Sequence, residues 1–265
     1  MKKKNKPVDT LPVLRRNKSI GVRYKRELTT IVKQMMNKVR AELYPTLKAA
    51  LAEYTADSPI DDLKNKIEQL ASQFLPIQFL AGSIARRFIS AVSRSNDQRF
   101  RAQIINKLGV DVIGSDKKLD DLLKLKINEN VNLIKSIPQT YFDKINSIVY
   151  QSITQGTRAS EIIEDIEKLG GVTKRRAEFI AIDQLSKANA AISQERQESI
   201  GVKDYIWRMS KDEKVRGNPN GLYPDARPSH WAREGKRFSY DKPPEGGHPG
   251  QAPRCRCYAE AILPE

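Results

Sequence analysis

Apolar residues recur at three- and four-residue intervals over most of the first two hundred positions. From Tyr24 the series Leu28, Ile31, Met35, Val39, Leu43, Leu47 and Leu51 traces one stripe of an α-helix, because residues three, four and seven apart share a helical face. Pro45 falls inside that stripe and, having no N–H to donate, predicts a kink or an interruption. The stretch "DSPIDDLKNKIEQL" reads as a helix start, with Ser58 as N-cap, Pro59 at the first position and two aspartates in the first turn, where negative charge complements the helix dipole. Pro76 marks a further break. "NDQRFRAQIINKLG", stopped at Gly109, and "KKLDDLLKLKINENVNLIKSI" are again amphipathic, while "VDVIGSD" between them fits neither period. Pro138 is expected to separate the next helix, "QTYFDKINSIVYQSITQG". "RASEIIEDIEKLGG" and "TKRRAEFIAIDQLSKANAAISQERQESIG" then complete the helical series.

After Gly201 the pattern changes. Pro and Gly crowd together, aromatics appear in "DYIWRMS" and "KRFSYD", and the helical period disappears. These segments and "RCYAEAIL" read as short strands joined by long loops, and loops of such length have a function or are pinned by something. The expected fold class is a mainly α N-terminal region with kinked long helices, followed by a small loop-rich α+β C-terminal module. Three parts are expected: residues 1–20 as a basic mobile arm, 21–130 as a helical docking region, and 131–265 as a domain with helices to about 200 and short strands and long loops over 202–265.

Charge alters this picture more than bulk composition does. The 265 residues carry a formal net charge of +15, and the first fifty hold 14 basic against 3 acidic residues. Such a surplus favours polyanions, either a phosphate backbone or an acidic protein surface. No run approaches the ~18 apolar residues that span a membrane, and "MKKKNKPVDTLP" lacks the apolar core of a signal peptide. A cytosolic start is expected, with no membrane partner. Only two cysteines are present, too few for a disulfide framework.

Both cysteines and both histidines of the chain lie near its end: His230, His248, Cys255 and Cys257. Imidazole and thiolate are preferred zinc ligands, and four of them complete a tetrahedral structural site. A Cys-x-Cys pair on an extended strand sends both sulfurs to one face, and Arg254 and Arg256 favour thiolates. Paired zinc knuckles, however, keep two to four residues between ligands, and here the two histidines stand far apart. Zn2+ is therefore a candidate cofactor set against a metal-free packing role, with the spacing favouring packing. The same residues could supply a nucleophile and base with Asp212 or Glu234 as orienter, but no nucleophile elbow or phosphate-loop pattern accompanies them. No enzymatic activity is expected.

A second candidate lies in "EIIEDIEKLGGVTKRRAEFI". Gly170 and Gly171 followed by Lys174, Arg175 and Arg176 resemble a helix-hairpin-helix, whose glycine turn offers N–H groups to a DNA phosphate. Thr173 stands where that motif often has a second glycine, and the alternative is a plain αα-hairpin with a solvated charged face.

Taken in order, "AEFIAIDQLSKANAA", "GVKDYIWRMSKDEKVR", "SHWAREGKRFSY" and "GGHPGQAPRCRCYAE" resemble the phage Mu F-like minor head proteins, also called the SPP1 gene-7-like head morphogenesis family. The resemblance covers roughly residues 130–262 and is carried by Trp207, Asp212, Val215, Arg216, His230, Gly235, Phe238, His248, Pro249, Cys255, Arg256 and Cys257. Many relatives have a further cysteine pair after the Asp-x-x-Val motif; this chain has Arg216 and the insertion "GNPNGLYPDARPS" instead. The resemblance implies a non-enzymatic minor capsid protein of a tailed bacteriophage. It would act in head morphogenesis and in DNA packaging or ejection, inside the head near the portal, after assembly in the host cytoplasm. Its implied partners are the portal protein, capsid or scaffolding proteins, and double-stranded DNA bound without sequence preference. The competing class is a non-specific DNA-binding protein or a metal-dependent nuclease accessory.

Overall fold

The computed structural model describes residues 9–52, 59–109, 111, 114 and 116–264. Six α-helices precede three short strands: α1 Lys18–Lys38, α2 Tyr44–Ala52, α3 Pro59–Gln73, α4 Ile77–Leu108, α5 Lys117–Thr154, α6 Ala159–Ser199, then β1 Asp204–Arg208, β2 Arg237–Ser239 and β3 Tyr258–Ala261. The mainly α region with a small loop-rich α+β module at its C-terminal end is thus the observed class. The polypeptide forms two compact units, one made of residues up to Ile20, Phe88–Lys126 and Ile182–Glu265, the other of Gly21–Arg87 and Ile127–Ala181. Neither follows the consecutive division expected from the sequence, because α4, α5 and α6 each contribute to both.

In the unit built on Gly21–Arg87 and Ile127–Ala181, the stripe read from the sequence is the core face. Leu28, Met35, Val39, Leu43 and Leu47 are fully buried, together with Leu70, Ile134, Ile137, Ile145, Ile162 and Ile166. Asn17 starts α1 by accepting from the Ser19 N–H at 3.1 Å and the Ser19 hydroxyl at 2.8 Å, a side-chain substitute for the missing helical partners. The interruption expected at Pro45 takes a specific form. A π-turn at Val39–Leu43 joins α1 to α2, and the Tyr44 N–H reaches back five residues to the Val39 carbonyl. The wide turn relieves the clash a proline ring makes with the carbonyl four residues earlier. Pro59 does open α3 and Pro76 does separate α3 from α4. The Ser58 cap lies outside the described residues, as does most of "VDVIGSD".

Pro138 does not separate two helices, contrary to expectation. It is buried inside a continuous α5, and two residues before it Arg176 of α6 donates to the Ser136 carbonyl at 3.2 Å and to the Ser136 hydroxyl at 2.8 Å. The carbonyl that loses its helical donor is that of Ile134, four residues earlier, and the burial of Ile134, Ile137, Tyr141 and Phe142 packs the helix on both sides of the proline. Two further bonds tie this unit. Tyr24 donates to the buried Asn130 at 2.9 Å, and Arg40 grips Glu167 with two nitrogens at 2.7 and 2.6 Å.

The other unit carries the sheet, antiparallel in the order β2-β1-β3. Trp207 lies opposite Ala259, and Tyr205 lies between Phe238 and Ala261. Alternation along β1 buries Tyr205 and Trp207 and leaves Asp204, Ile206 and Arg208 half-buried, as a period of two requires. These aromatics meet Phe100 and Ile104 of α4, Val202, Tyr240, Ala252 and both cysteines in one core. Beneath them α4 and α6 share buried polar contacts: Asn96 to Ser193 at 2.7 Å and Arg196 to Asp97 at 2.6 Å.

Leu11 and Leu14 belong to the same core, which corrects the reading of residues 1–20 as a mobile arm. The stretch from Asp9 pairs with the free edge of β3, through Leu11 N–H to the Ala261 carbonyl at 3.0 Å and Leu263 N–H to the Asp9 carbonyl at 2.9 Å. An exposed strand edge offers unpaired N–H and C=O groups, and two leucines spaced three apart supply the burial that holds an edge-pairing segment. The lysines of "MKKKNK" lie outside the described residues.

Candidate functional site

Between β1 and β3 the chain runs through two long loops, 209–236 and 240–257, with one short 3-10 turn at Trp231–Arg233 and β2 between them. The residues that carry the sequence motif hold these loops in place. Asp212 accepts from the Lys214 N–H at 2.9 Å and pairs with Arg256. Val215 is buried. The Arg216 carbonyl accepts from the N–H groups of both His230 and Trp231 at 3.0 Å, and its guanidinium reaches the Pro253 carbonyl at 3.1 Å. Gly235 turns with φ +74 and donates to the Trp207 carbonyl at 2.9 Å. Phe238 stacks on Tyr205 and meets Trp207 edge-on, and Pro249 is buried.

At the centre of this framework three of the four candidate ligands converge. His230 Nδ1 lies 3.4 Å from Cys255 Sγ and 3.7 Å from Cys257 Sγ, and the three ligand atoms lie within 4.8 Å of one another. All three residues are buried. Each is brought there by a local device. His230 follows from the Arg216 carbonyl that anchors its N–H. Cys255 follows a tight turn, its N–H bonded to the Ala252 carbonyl at 2.9 Å, with Arg254 in the left-handed region at φ +57. That strained residue is fixed by its own N–H, which donates to Asp183 of α6 at 2.8 Å; such a conformation costs a non-glycine residue about 1 kcal/mol and persists only when its surroundings hold it. Gly250, at φ +88, comes so close to α6 that a Cβ on it would stand 2.5 Å from Ala190 Cβ.

The electrostatics within the cluster are asymmetric. The hydrogen bond from the Cys257 thiol, and then His230, pull the Cys255 thiol well below its ordinary range against the opposing effect of burial. The Gly250 N–H, 3.3 Å from Cys255 Sγ, adds a donor. Cys257 is pushed up, first by its bond to Cys255 and then by burial. His230 Nε2 is buried with no hydrogen-bond partner among the described residues, and the His230 and Trp207 rings meet edge-to-face at 5.1 Å.

His248 is not part of this cluster, which corrects its place in the expected ligand set. Its Nδ1 is paired with the Tyr205 hydroxyl at 2.9 Å, and its ring packs edge-on against Tyr205 and Tyr240. Burial lowers its pKa, which keeps it a neutral packing residue. Asp183, which sets the Cys255 turn, escaped sequence reasoning; the signal for it is a carboxylate set among the apolar residues of "FIAIDQL".

The helix-hairpin-helix also requires correction. Gly170, Gly171 and Thr173 lie inside α6, which is continuous from Ala159 to Ser199, so neither a hairpin nor a phosphate-binding turn exists there. Their N–H groups belong to a helix interior rather than to a helix start. Gly170 is small for a different reason: a Cβ would come within 2.5 Å of Met36 Cε on α1, and the glycine lets two helices approach closely. Thr173 is buried and bonds the Leu169 carbonyl at 2.9 Å. Lys174 and Arg175 are exposed, whereas Arg176 is committed to Ser136 as described above.

Residues 143–260 match the family described as "Phage Mu protein F like protein". The chain is also 35% identical over 188 residues to an uncharacterized protein of Haemophilus influenzae, an alignment covering 69% of this chain and 39% of that protein. It thus spans well under half the length of that relative. No solved structure matches.

Proposed function

Because its residues 143–260 place the chain in the phage Mu F-like head morphogenesis family, we propose that it is a minor internal protein of a tailed-phage head. In this reading it docks on the portal through its helices, assists head assembly, and lies against packaged DNA. The observation that carries the reading is the match itself, which spans the sheet, the pinned loops and the helices leading into them. Two features support it. The motif residues bond one another and the main chain, so the module is built as a rigid scaffold; the Cys255–His230 pair, the arrangement closest to a nucleophile and base, is about 5% and 2% exposed and sealed from substrate. The surplus of positive charge suits a protein held beside dense DNA.

Mass spectrometry of purified heads from the encoding phage, combined with chemical cross-linking, tests this. The protein is expected in low copy with cross-links to the portal ring. Its presence in the lysate but absence from purified heads would reject the proposal.

With no glycine turn at 170–171, DNA contact falls to exposed side chains. The double variant Lys174→Gln, Arg175→Gln is expected to flatten the dependence of log affinity on log salt by roughly two, at about 0.9 for each phosphate that the variant no longer neutralises. An unchanged slope places the DNA-facing charge elsewhere on the chain.

A further inference from the structure

We infer that His230 Nδ1, Cys255 Sγ and Cys257 Sγ bind one zinc ion, which fastens the 209–236 loop to the strand-leading segment before β3. The distances are those of a metal site. In a tetrahedral centre with Zn–S of about 2.3 Å and Zn–N of about 2.0–2.1 Å, nitrogen and sulfur stand about 3.6 Å apart. The two separations here, 3.4 and 3.7 Å, bracket that value. One ion at the common centre would meet all three ligands without rearrangement of the backbone.

The surroundings argue the same way. Buried polar groups find partners, and those left without one require an explanation. His230 offers only its Nδ1 to a polar neighbour, and that neighbour is a pair of sulfurs, which are poor hydrogen-bond partners. Coordination would satisfy Nδ1 and both sulfurs together and would fix the tautomer with the proton on Nε2. The Gly250 N–H directed at Cys255 Sγ is the kind of outer contact that orients a ligating thiolate. Two sulfurs and an imidazole are a soft donor set, suited to zinc and unsuited to magnesium or calcium.

No fourth His, Cys, Asp or Glu joins the group among the described residues, so the remaining position falls to water or a main-chain carbonyl. Burial makes the ion a staple. Ordering each loop residue costs roughly 1–2 kcal/mol of backbone entropy, and Pro- and Gly-rich loops bury little apolar surface to offset it. Zinc binding to a site absent from the unfolded chain adds directly to folding free energy.

The test uses the full chain expressed in zinc-supplemented medium. Elemental analysis is expected to find about one zinc per molecule, lost in Cys255→Ser and Cys257→Ser and retained in His248→Gln. Because the serine variants can unfold, the native protein is also stripped with chelator and titrated with Co2+. Thiolate-to-cobalt charge-transfer absorption should appear, and the melting temperature should fall on stripping and recover with metal. Zinc-free native protein without that absorption, or zinc retained by both serine variants, overturns the inference and leaves a packed, metal-free thiol pair.

Discussion

Removing residues 1–16 is expected to unfold or severely destabilise the unit that carries the sheet, rather than trim a tail. Leu11 and Leu14 are 1% and 3% exposed, and truncation of a buried leucine costs about 2–5 kcal/mol through lost transfer energy and the cavity left behind. The deletion also strips the edge of β3 of its bonds from the Asp9–Leu11 stretch. It removes the Leu14 carbonyl to which the Asn189 side chain donates at 2.9 Å and the Arg16 guanidinium that donates to Ser186 at 2.8 Å. Point variants isolate the effect. Leu11→Ala and Leu14→Ala should each lower the urea midpoint strongly, while Arg15→Ala, at an exposed position, should change stability by less than about 0.5 kcal/mol. Equal, small shifts for all three would restore the picture of a solubilising arm.

The helices were legible because their apolar period is long and repeated: the stripe from Leu28 to Leu47 is buried as its spacing predicts. The strands were legible from their aromatics and from the loss of the helical period after Gly201, and the structure adds the alternation that buries Tyr205 and Trp207. Local signals failed where tertiary contacts decided the outcome. Two apolar residues among prolines and charges, as at Leu11 and Leu14, are too few to show a period, and their partners lie some 250 residues away in sequence, where Thr10 pairs with Ile262. Pro138 and Gly170–Gly171 are breakers by intrinsic preference at a cost of about 3 and 1 kcal/mol. Packing outweighs that preference at both positions: Pro138 is buried within α5, and Gly170 lies against Met36 of α1.

The site divides in the same way. The gathering of His and Cys at one end of the chain was visible as composition. Which three converge was not, because His248 and His230 differ only in the partners the fold gives them: a tyrosine hydroxyl for one and two sulfurs for the other. Spacing rules drawn from paired knuckles also miss this cluster, since one ligand comes from a loop anchored by Arg216 and two from a turn anchored on α6.

Trp207→Ala should cost about 3–5 kcal/mol, the range for deleting a large aromatic from a packed core. Trp207 is fully buried at the middle of the central strand. Its ring is the surface on which the loop residues assemble: His230 meets it edge-on at 5.1 Å, Phe238 at 5.8 Å, and the Arg233 guanidinium lies 5.0 Å from its centroid. The loss therefore falls on both long loops as well as on the sheet, and a second, smaller loss arises because Arg233 gives up a cation–π contact worth about 0.5–2 kcal/mol. Trp207→Phe keeps an aromatic face at that position and should lose less than half as much. Intrinsic fluorescence gives a direct readout, since the chain has only two tryptophans and the other, Trp231, is 37% exposed. Wild-type emission should carry a short-wavelength component that disappears in Trp207→Ala, together with a fall in the denaturation midpoint. A Trp207→Ala protein within about 1 kcal/mol of wild type would mean that the loops are held without this ring, and the cysteine–histidine cluster alone would then have to order them.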